Sequence, residues 1–485
     1  MELAFLLIVT NKPSLSPSMI KQSKKNSRDF VFNAYSQRKI AIKFSYAGWA
    51  YNGLAAQGTP TPLPTVEQTL WDALAKGRLV DSTKSFESAG WSRCGRTDKG
   101  VSSAGQVVAL WVRSAYTPEN KPSSIEAFKG PSQAKPIKLT KDQQARINNA
   151  PEDQKQSVKM EVEQQASAME VEKESKKPVV EYNFLQILNS LLPPTIRILA
   201  WSPVKNSFDA RFDCKERHYK YYFDIKESPL GPGLDIHLMN GALELIKGEH
   251  DFRNFCKVDA SKQIKNFHRR INDAWIDPPE AGSNLHCVNL RGSAFLYHQV
   301  RCIMAVLFLV GCGREKVEII NDLMRVKPDD KDPSLPVVEG KPLYDMANDL
   351  PLCLYDCVFD ERSLSWRTQA GDEPTDEVED RRQRTNTSKA IVDQLYELEL
   401  QSAMLKNALS QIKPIDTRPV GDKVNAIPLG GNNFVISSKH LPLLERERGD
   451  TPDVINARWR DSEKGKRRSK KSASASEKMD ISDAE

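Results

Sequence analysis

A long stretch with no aromatic side chain, from Lys129 to Glu181, interrupts the first of two patterned blocks in this 485-residue chain. The surrounding segment, residues 114–178, is rich in Lys, Glu, Gln, Ser and Pro. Such a composition buries too little apolar surface to offset the entropy lost on ordering. We therefore predict a disordered insertion at 114–178, and any compact unit formed by the first block has to close around it.

The first block, residues 39–230, has the pattern of a mixed unit. Apolar and polar residues alternate over 39–46, as in a strand with one buried face. Thr65 followed by Gln68 has the form of a capping box, and apolar residues recur at helical spacing behind it. Further elements are predicted as strands at 105–112, 196–202 and 217–224 and a helix at 182–192.

The second block, residues 231–361, mixes strands and helices irregularly. Helices are predicted near 239–247, 299–310 and 317–326, and strands near 270–275, 286–290 and 353–359. This order favours an antiparallel sheet with helices on one face over a wound parallel sheet. The predicted fold class is therefore α+β.

Less patterned sequence flanks the two blocks. We predict a disordered leader at 1–38, a linker and accessory helical extension at 362–460 with its helix at 387–412, and a basic disordered tail at 461–485. The basic run of the tail, residues 464–471, is typical of a nuclear signal, an RNA-contacting segment or a solvated end. The apolar run at 3–9 is too short to span a bilayer, so no membrane association is expected.

Charge and cysteine content narrow the functional classes. Lys plus Arg outnumber Asp plus Glu by 70 to 64, which is compatible with a polyanionic partner. The eight cysteines are scattered and lack the paired CxxC spacing of a zinc site. We interpret them as reduced thiols that mostly serve packing.

The segment 93–101 places one carboxylate, Asp98, among cations in a glycine-bounded turn. Arg93, Arg96 and Lys99 are predicted to stabilise the ionised form of Asp98. The competing interpretation is an ordinary solvated turn whose charges cancel.

Three other segments carry candidate binding groups. Residues 208–223 alternate aromatic and basic side chains, which can stack on unpaired bases or form core. Residues 248–270 mix basic and aromatic residues, as a phosphate-lined groove or a solvated loop would. In 292–304, Arg301 interrupts an apolar helix, and a buried guanidinium needs a partner, for which Asp98 is the natural candidate.

These residues together resemble the TruA family of tRNA pseudouridine synthases. The resemblance covers roughly residues 39–360 apart from the insertion, and residues 94–102 and 250–257 are especially similar to the eukaryotic branch that modifies tRNA positions 38 and 39. A departure lies at residues 53–57, where the family commonly has Gly-Trp-Gln. The matching motifs are Arg96-Thr97-Asp98-Lys99-Gly100, Arg217-His218-Tyr219 and Ala294-Phe295-Leu296-Tyr297-His298-Gln299-Val300-Arg301.

The resemblance implies two ferredoxin-like halves that share a mostly antiparallel sheet with a central cleft. It implies that Asp98 is the nucleophile, that Tyr219 stacks on a flipped uridine and assists proton removal, and that Arg301 pairs with Asp98. It also implies a homodimer that binds tRNA, and an isomerisation that requires neither cofactor nor metal. The residues expected to contact substrate are Arg96, Lys99, Arg217, Arg253, Lys257, His298 and Leu352.

Two other functions remain open at this point. The first is a non-catalytic tRNA-binding or folding factor on the same scaffold, which would have little need for a carboxylate amid phosphates. The second is a carboxylate-based glycoside hydrolase, which lacks a second acid at a suitable spacing from Asp98. For the enzyme, we expect a location in the nucleus and the cytoplasm.

Overall fold

The computed structural model describes residues 30–134, 139–174, 179–226, 233–372, 377–412, 425–437 and 439–467. Most of the predicted leader, residues 1–29, and residues 468–485 of the predicted basic tail lie outside this part of the chain. No helix among the described residues is both long enough and apolar enough to cross a bilayer.

A ten-stranded sheet runs through both blocks. Its main path has the order β4-β1-β3-β10-β6-β9-β8-β7, with β2 paired to β3 and β5 paired to β1. The strands are β1 (Gln37–Tyr46), β2 (Ser92–Arg93), β3 (Ser102–Arg113), β4 (Phe128–Lys129), β5 (Ile196–Pro203), β6 (Glu216–Asp224), β7 (Gly248–Asp251), β8 (His268–Asp277), β9 (Leu285–Gly292) and β10 (Leu352–Val358).

The pairing confirms the predicted α+β class with a mostly antiparallel sheet. Eight pairs of neighbouring strands in this sheet are antiparallel, for example β1 with β3 and β6 with β9. The pairing of β3 with β10, through Ser102 opposite Cys353, is parallel. Because β10 lies between β3 and β6, the last strand of the second block joins the two halves into one sheet.

Outside residues 114–178, the helices of the two blocks agree in position with the pattern of the sequence. Thr65 is the N-cap of the first helix, and its side chain accepts a hydrogen bond from the Gln68 backbone N–H. The helices are α1 (Val66–Lys76), α2 (Lys141–Asn148), α3 (Lys155–Glu174), α4 (Phe184–Leu191), α5 (Ile236–Leu245), α6 (Gln299–Gly311), α7 (Ile319–Met324), α8 (Glu377–Ser410) and α9 (Pro452–Asp461).

Two large apolar clusters form the core. One packs α1 and α4 against one face of β1 and β3. The other packs α5, α6 and α7 against β6, β8 and β9. A smaller cluster covers the opposite face of β1 and β3, and Tyr219 contacts both this cluster and the one around α6. Tyr219 therefore lies where the two halves meet.

Part of the segment that the composition predicts to be disordered is helical. Helices α2 and α3 lie inside residues 114–178, and Thr140 and Gln143 form a capping box at the start of α2. Ile147, Val162 and Ala166 are buried. The absence of aromatic residues misled the prediction, because Ala, Glu, Gln, Lys and Met are strong helix formers and a few aliphatic side chains can bury one face.

The ends of the insertion and the C-terminal extension are held together by charge. Arg38 of β1 lies 3.0 Å from Glu181 and 2.6 Å from Asp372. Ser114, where the insertion begins, donates a 2.6 Å hydrogen bond to Glu181. Arg38, Glu181 and Asp372, here called the buried ion cluster, have almost no exposed side-chain surface.

A small hairpin of the extension closes over the second half. It consists of β11 (Asn425–Gly430) and β12 (Asn433–Ser437). The backbone N–H of Asn348 donates to the Leu429 carbonyl at 2.6 Å, and the hydroxyl of Tyr221 donates to the Asn348 carbonyl at 3.1 Å. The hairpin therefore supports the loop that follows residue 347, which lies next to the candidate site.

Candidate active site

The Asp98 loop is held from below by the strand that follows it. Cys94 N–H donates to the Val107 carbonyl at 2.9 Å, and the buried side chain of Gln106 donates to the Gly95 carbonyl at the same distance. The hydroxyls of Thr97 and Tyr46 are 2.7 Å apart. These contacts fix both sides of Asp98, and the loop leads directly into β3.

Gly100 is required by the close approach of a second loop. Its φ of 81° lies in the left-handed region, and a β-carbon there would come within 2.8 Å of the Asp349 carboxyl carbon. Gly53, with φ of 86°, similarly leaves space for the backbone of Thr97 and Asp98. The loops at residues 53 and 349 therefore pack directly on the Asp98 loop.

The carboxylate of Asp98 faces His298. Nε2 of His298 lies 3.2 Å from Oδ2 of Asp98, and the two side chains retain 8% and 24% of their exposed surface. Asp98 is thus supported on one side and open on the other. His298 is the N-cap of α6, so the positive end of that helix dipole lies on the side of the carboxylate.

The backbone of His298 is in an uncommon conformation. Its φ is 63°, in the left-handed region that non-glycine residues rarely adopt. The ring of Tyr297 lies against that of His298 with centroids 3.7 Å apart. Strained backbone of this kind concentrates at functional sites, where surrounding packing maintains it.

The predicted ion pair between Arg301 and Asp98 is wrong for this structure. Nε of Arg301 donates to the Ala347 carbonyl at 2.7 Å, and its Nη1 lies 4.0 Å from Oδ2 of Asp349. The guanidinium is therefore turned toward the neighbouring loop, while His298 takes the place beside Asp98.

Arg301 nevertheless belongs to the same site. Burial, followed by the charge of Asp98, raises the pKa of Tyr297, and the charge of Arg301 opposes that rise. Both charges therefore act on one phenol. Asp349 connects the two sides, because it contacts Gly100 of the Asp98 loop and Arg301 of α6.

The cations of the loop itself play different parts from those predicted. Nε of Arg93 lies 2.8 Å from Oε1 of Glu67, a buried carboxylate of α1, so Arg93 anchors the start of the loop instead of stabilising Asp98. Arg96 and Lys99 are exposed on either side of Asp98. Their positions are compatible with the predicted contacts to substrate.

Tyr219 lies at the boundary of the two halves, on β6. It is opposite Leu290 of β9 and Leu354 of β10, and its ring meets that of Phe295 edge to face at 4.9 Å. Burial raises the pKa of Tyr219, so the side chain is a neutral phenol at physiological pH. A neutral phenol suits a stacking role better than removal of a proton.

Arg217 is not an exposed substrate contact. The residue is 9% exposed, and its guanidinium donates to four backbone carbonyls at 2.5 to 3.1 Å. The accepting groups join three segments around the Asp98 loop; they belong to Cys94, Arg211, Cys214 and Ser293. The prediction that Arg217 binds substrate is therefore corrected to a positioning role.

The remaining predicted contacts are Arg253, Lys257 and Leu352. Nη2 of Arg253 lies 2.7 Å from Oδ2 of Asp251, and this ion pair compensates part of the charge of the guanidinium. The backbone N–H of Lys257 donates to the Tyr297 carbonyl at 3.0 Å, and its side chain is exposed. Leu352 is buried at the start of β10, opposite Tyr221, and packs in the cluster around α6.

Sequence reasoning missed Asp349 as a partner of the site. Its only sequence signal was its closeness to Leu352, which the resemblance predicts to contact substrate. The contact depends on the loop after residue 347 folding back onto Gly100, which no local pattern encodes. His298 was predicted to bind substrate, and its contact with Asp98 was not foreseen.

The fold and the site define a class of enzyme in which one partly exposed carboxylate lies beside a histidine, near the place where two halves share one sheet. A family model described as tRNA pseudouridine synthase matches residues 242–360. The chain belongs to this family, in its TruA branch, as its similarity to full-length relatives shows.

Three relatives illustrate the similarity. The tRNA pseudouridine(38/39) synthase of Saccharomyces cerevisiae is 36% identical over 441 residues, which are 90% of this chain and 81% of the relative. The human protein of the same name is 38% identical over 351 residues, or 70% of this chain and 59% of the relative. A probable tRNA pseudouridine synthase of Caenorhabditis elegans is 32% identical over 355 residues, or 72% of this chain and 73% of the relative.

Proposed function

We propose that this protein isomerises uridine to pseudouridine in the anticodon stem-loop of tRNA, at positions 38 and 39. The observation that carries the proposal is Asp98, presented half-open beside His298 on the family's Arg-Thr-Asp-Lys-Gly loop. The target positions rest on the names of two relatives, from Saccharomyces cerevisiae and Homo sapiens, that align with 90% and 70% of this chain.

The reaction replaces the N-glycosidic bond of uridine with a C-glycosidic bond, and substrate and product contain the same atoms. The bond between C1′ of the ribose and N1 of uracil breaks, and its electron pair leaves with the base. The Asp98 carboxylate, as nucleophile, stabilises C1′ while the base rotates. A bond then forms between C1′ and C5, the hydrogen of C5 leaves as a proton, and N1 gains a proton.

The arrangement of Asp98 suits that role. Oδ2 faces His298, and within the described residues the other carboxylate oxygen, Oδ1, forms no ion pair or hydrogen bond. One oxygen is thus oriented by the protein while the other remains available to C1′. The half-open position also allows a flipped nucleotide to reach the carboxylate.

Tyr219 and Arg301 hold the flipped base and its surroundings. The neutral phenol ring of Tyr219, fixed edge to face by Phe295, offers a flat surface for the uracil. Arg301, oriented by the Ala347 carbonyl, supplies a positive charge at the edge of the site. That charge favours a phosphate or a base carbonyl of the extruded nucleotide.

Exposed basic residues around the site complete the proposed RNA contact. Arg96, Lys99 and Lys257 are exposed near Asp98 and His298, where a phosphate backbone would have to pass to place one base at the carboxylate. Such contacts position the RNA without reading its sequence.

The assembly and location of the enzyme are also proposals. We propose a homodimer, on the resemblance to the TruA family, and a distribution over nucleus and cytoplasm, on the basic run at 464–471. Light scattering of the purified protein would test the first. Imaging of the full chain and of a version lacking residues 461–485 would test the second.

The reaction is tested with unmodified tRNA transcripts and purified wild-type and Asp98→Ala proteins. Pseudouridine is mapped by carbodiimide treatment followed by primer extension. We expect product at positions 38 and 39 with the wild type alone. Full modification by the alanine variant would refute the role of Asp98, and tight tRNA binding without product in either protein would favour a binding factor.

A further inference from the structure

Three cysteines that are far apart in sequence meet beneath the Asp98 loop. The sulfur atoms of Cys94, Cys214 and Cys357 all lie within 4.8 Å of one another. Each cysteine is buried, with 1%, 6% and 6% of its surface exposed. None of them belongs to a local metal motif, so only the sheet that joins the two halves brings them together.

A buried positive charge lies against this cysteine cluster. Arg217 bonds to the carbonyls of Cys94 and Cys214, among others, and the ion pairs of the described residues include none to its guanidinium. Carbonyl groups satisfy the N–H donors but leave the charge uncompensated, and an uncompensated buried charge is costly. Negative charge on the neighbouring sulfur atoms would compensate the charge of the guanidinium.

We propose that Cys94, Cys214 and Cys357 form a binding site for a thiophilic divalent cation, of which Zn²⁺ is the representative. Three thiolates and one divalent cation carry a net charge of −1, which the guanidinium of Arg217 balances. Thiolate ligands select soft or borderline cations over Mg²⁺ or Ca²⁺.

The spacing of the sulfur atoms is close to what such an ion needs. With zinc–sulfur bonds of about 2.3 Å, tetrahedral geometry separates two ligand sulfur atoms by roughly 3.8 Å. Adjustments of side-chain torsions, of the order of 1 Å, bring the present atoms to that spacing. A solvent molecule fills the fourth position of the ion.

The three cysteines are part of the small apolar cluster on one face of β1 and β3. The remaining surroundings are apolar, including Val107, Ala109 and Leu354.

The ion would join three segments that carry the candidate site. Cys94 begins the loop of Asp98, Cys214 lies just before the strand of Tyr219, and Cys357 is on β10 with Leu352. The site is structural in this scheme: it fixes the base of the Asp98 loop and takes no part in the isomerisation.

The test measures metal binding without RNA, so its outcome is independent of the proposed reaction. The full chain is purified under reducing conditions, dialysed against ZnCl₂ and then against metal-free buffer, and its zinc content is determined by mass spectrometry. Metal-free protein is also titrated with Co²⁺, whose thiolate complexes have a charge-transfer band in the near ultraviolet. The variants are Cys357→Ser and, as a matched control on the same strand, Cys353→Ser.

We expect one zinc ion per chain and a cobalt–thiolate band in the wild type and in Cys353→Ser, and loss of both in Cys357→Ser. If the serine variant does not fold, the wild type still decides the question, because bound zinc should protect three thiols from alkylation. A wild type that retains no zinc and develops no cobalt band, or a Cys357→Ser protein that binds like the wild type, would overturn the proposal.

Discussion

Two sets of charged residues in this protein differ in how far their carboxylates are paired and buried. In the buried ion cluster, Arg38 bonds to Glu181 and to both oxygens of Asp372, and solvent is excluded. Beside α6, Asp98 meets His298 and keeps about a quarter of its surface exposed. The carboxylates of the first set are paired and buried, whereas Asp98 in the second set is partly exposed to solvent.

This difference in burial and pairing distinguishes carboxylates that stabilise the fold from the carboxylate that is proposed to react. Burial alone would lower the pKa of Arg38, but hydrogen bonding and charge from Asp372, with the charge of Glu181, raise it overall. The guanidinium therefore stays charged and joins the first strand to the ends of the insertion and the extension. On the proposed function, Asp98 contributes less to stability because its site has to admit a nucleotide.

The largest effect should come from the open carboxylate. Asp98→Asn keeps the size of the side chain and removes the nucleophile, so we expect pseudouridine formation to fall at least about 10³-fold. Single-turnover assays with saturating enzyme measure this rate. The free energy of unfolding should change by less than about 1 kcal/mol, since the side chain is partly exposed. If Asp98→Asn instead lost much of the free energy of unfolding and kept the wild-type rate, Asp98 would be a structural carboxylate and the comparison would be wrong.

The buried ion cluster should show the reverse behaviour. Asp372→Asn leaves Arg38 with one buried carboxylate, and we expect the free energy of unfolding to fall by about 3 kcal/mol. Urea denaturation measures the change, and the rate of pseudouridine formation at a temperature where both proteins are folded should be unaltered. An unchanged unfolding midpoint would mean that the cluster is dispensable.

An intermediate effect is expected from the partner of the open carboxylate. His298→Gln can retain a hydrogen bond but loses the imidazole, and we expect the rate to fall about 10- to 100-fold with tRNA affinity unchanged. Filter binding and single-turnover rates distinguish the two quantities. His237→Gln, which alters an exposed histidine at the start of α5, serves as the control. Equal rates in both variants would remove His298 from the mechanism.

The smallest effect is expected from a half-exposed ion pair. Lys43 lies 2.8 Å from Asp356, and their side chains are 28% and 37% exposed. Lys43→Met should change the free energy of unfolding by less than about 1 kcal/mol, because solvent screens the pair and side-chain ordering offsets much of its attraction. Urea denaturation in parallel with Asp372→Asn makes the comparison direct. If Lys43→Met lost as much free energy of unfolding as Asp372→Asn, solvent exposure would not explain the difference between the two ion pairs.

Periodicity and capping predicted most elements of the fold. The strand at 39–46, the helix after Thr65 and the apolar helix ending near residue 310 all occur, with boundaries that differ by a few residues. These features depend on neighbours in sequence, which a local pattern records. The central place of β10 depends on a strand far from its partners, and the resemblance to a known family, not the pattern, indicated a shared sheet.

The sequence indicated which residues belong to the candidate site but not which of them form ion pairs. Asp98, Tyr219 and Arg301 were singled out from their motifs, and the structure brings them to one region. Which cation faces Asp98 depends on the direction of the side chains at the end of α6 and on a loop that folds back through Asp349. These are tertiary contacts, and residue types alone could not decide between Arg301 and His298.

The parallel pairing of β3 with β10 has a consequence for biosynthesis. The hydroxyl of Ser103 bonds to the carbonyl of Leu354, a residue 251 positions later in the chain. At about 5–20 residues per second, a ribosome needs roughly 10–50 s to cover that distance. During this interval the nascent chain exposes one flank of β3, and the reactive loop lacks its final support. The two halves of the sheet can therefore join only after β10 has been synthesised, late in translation.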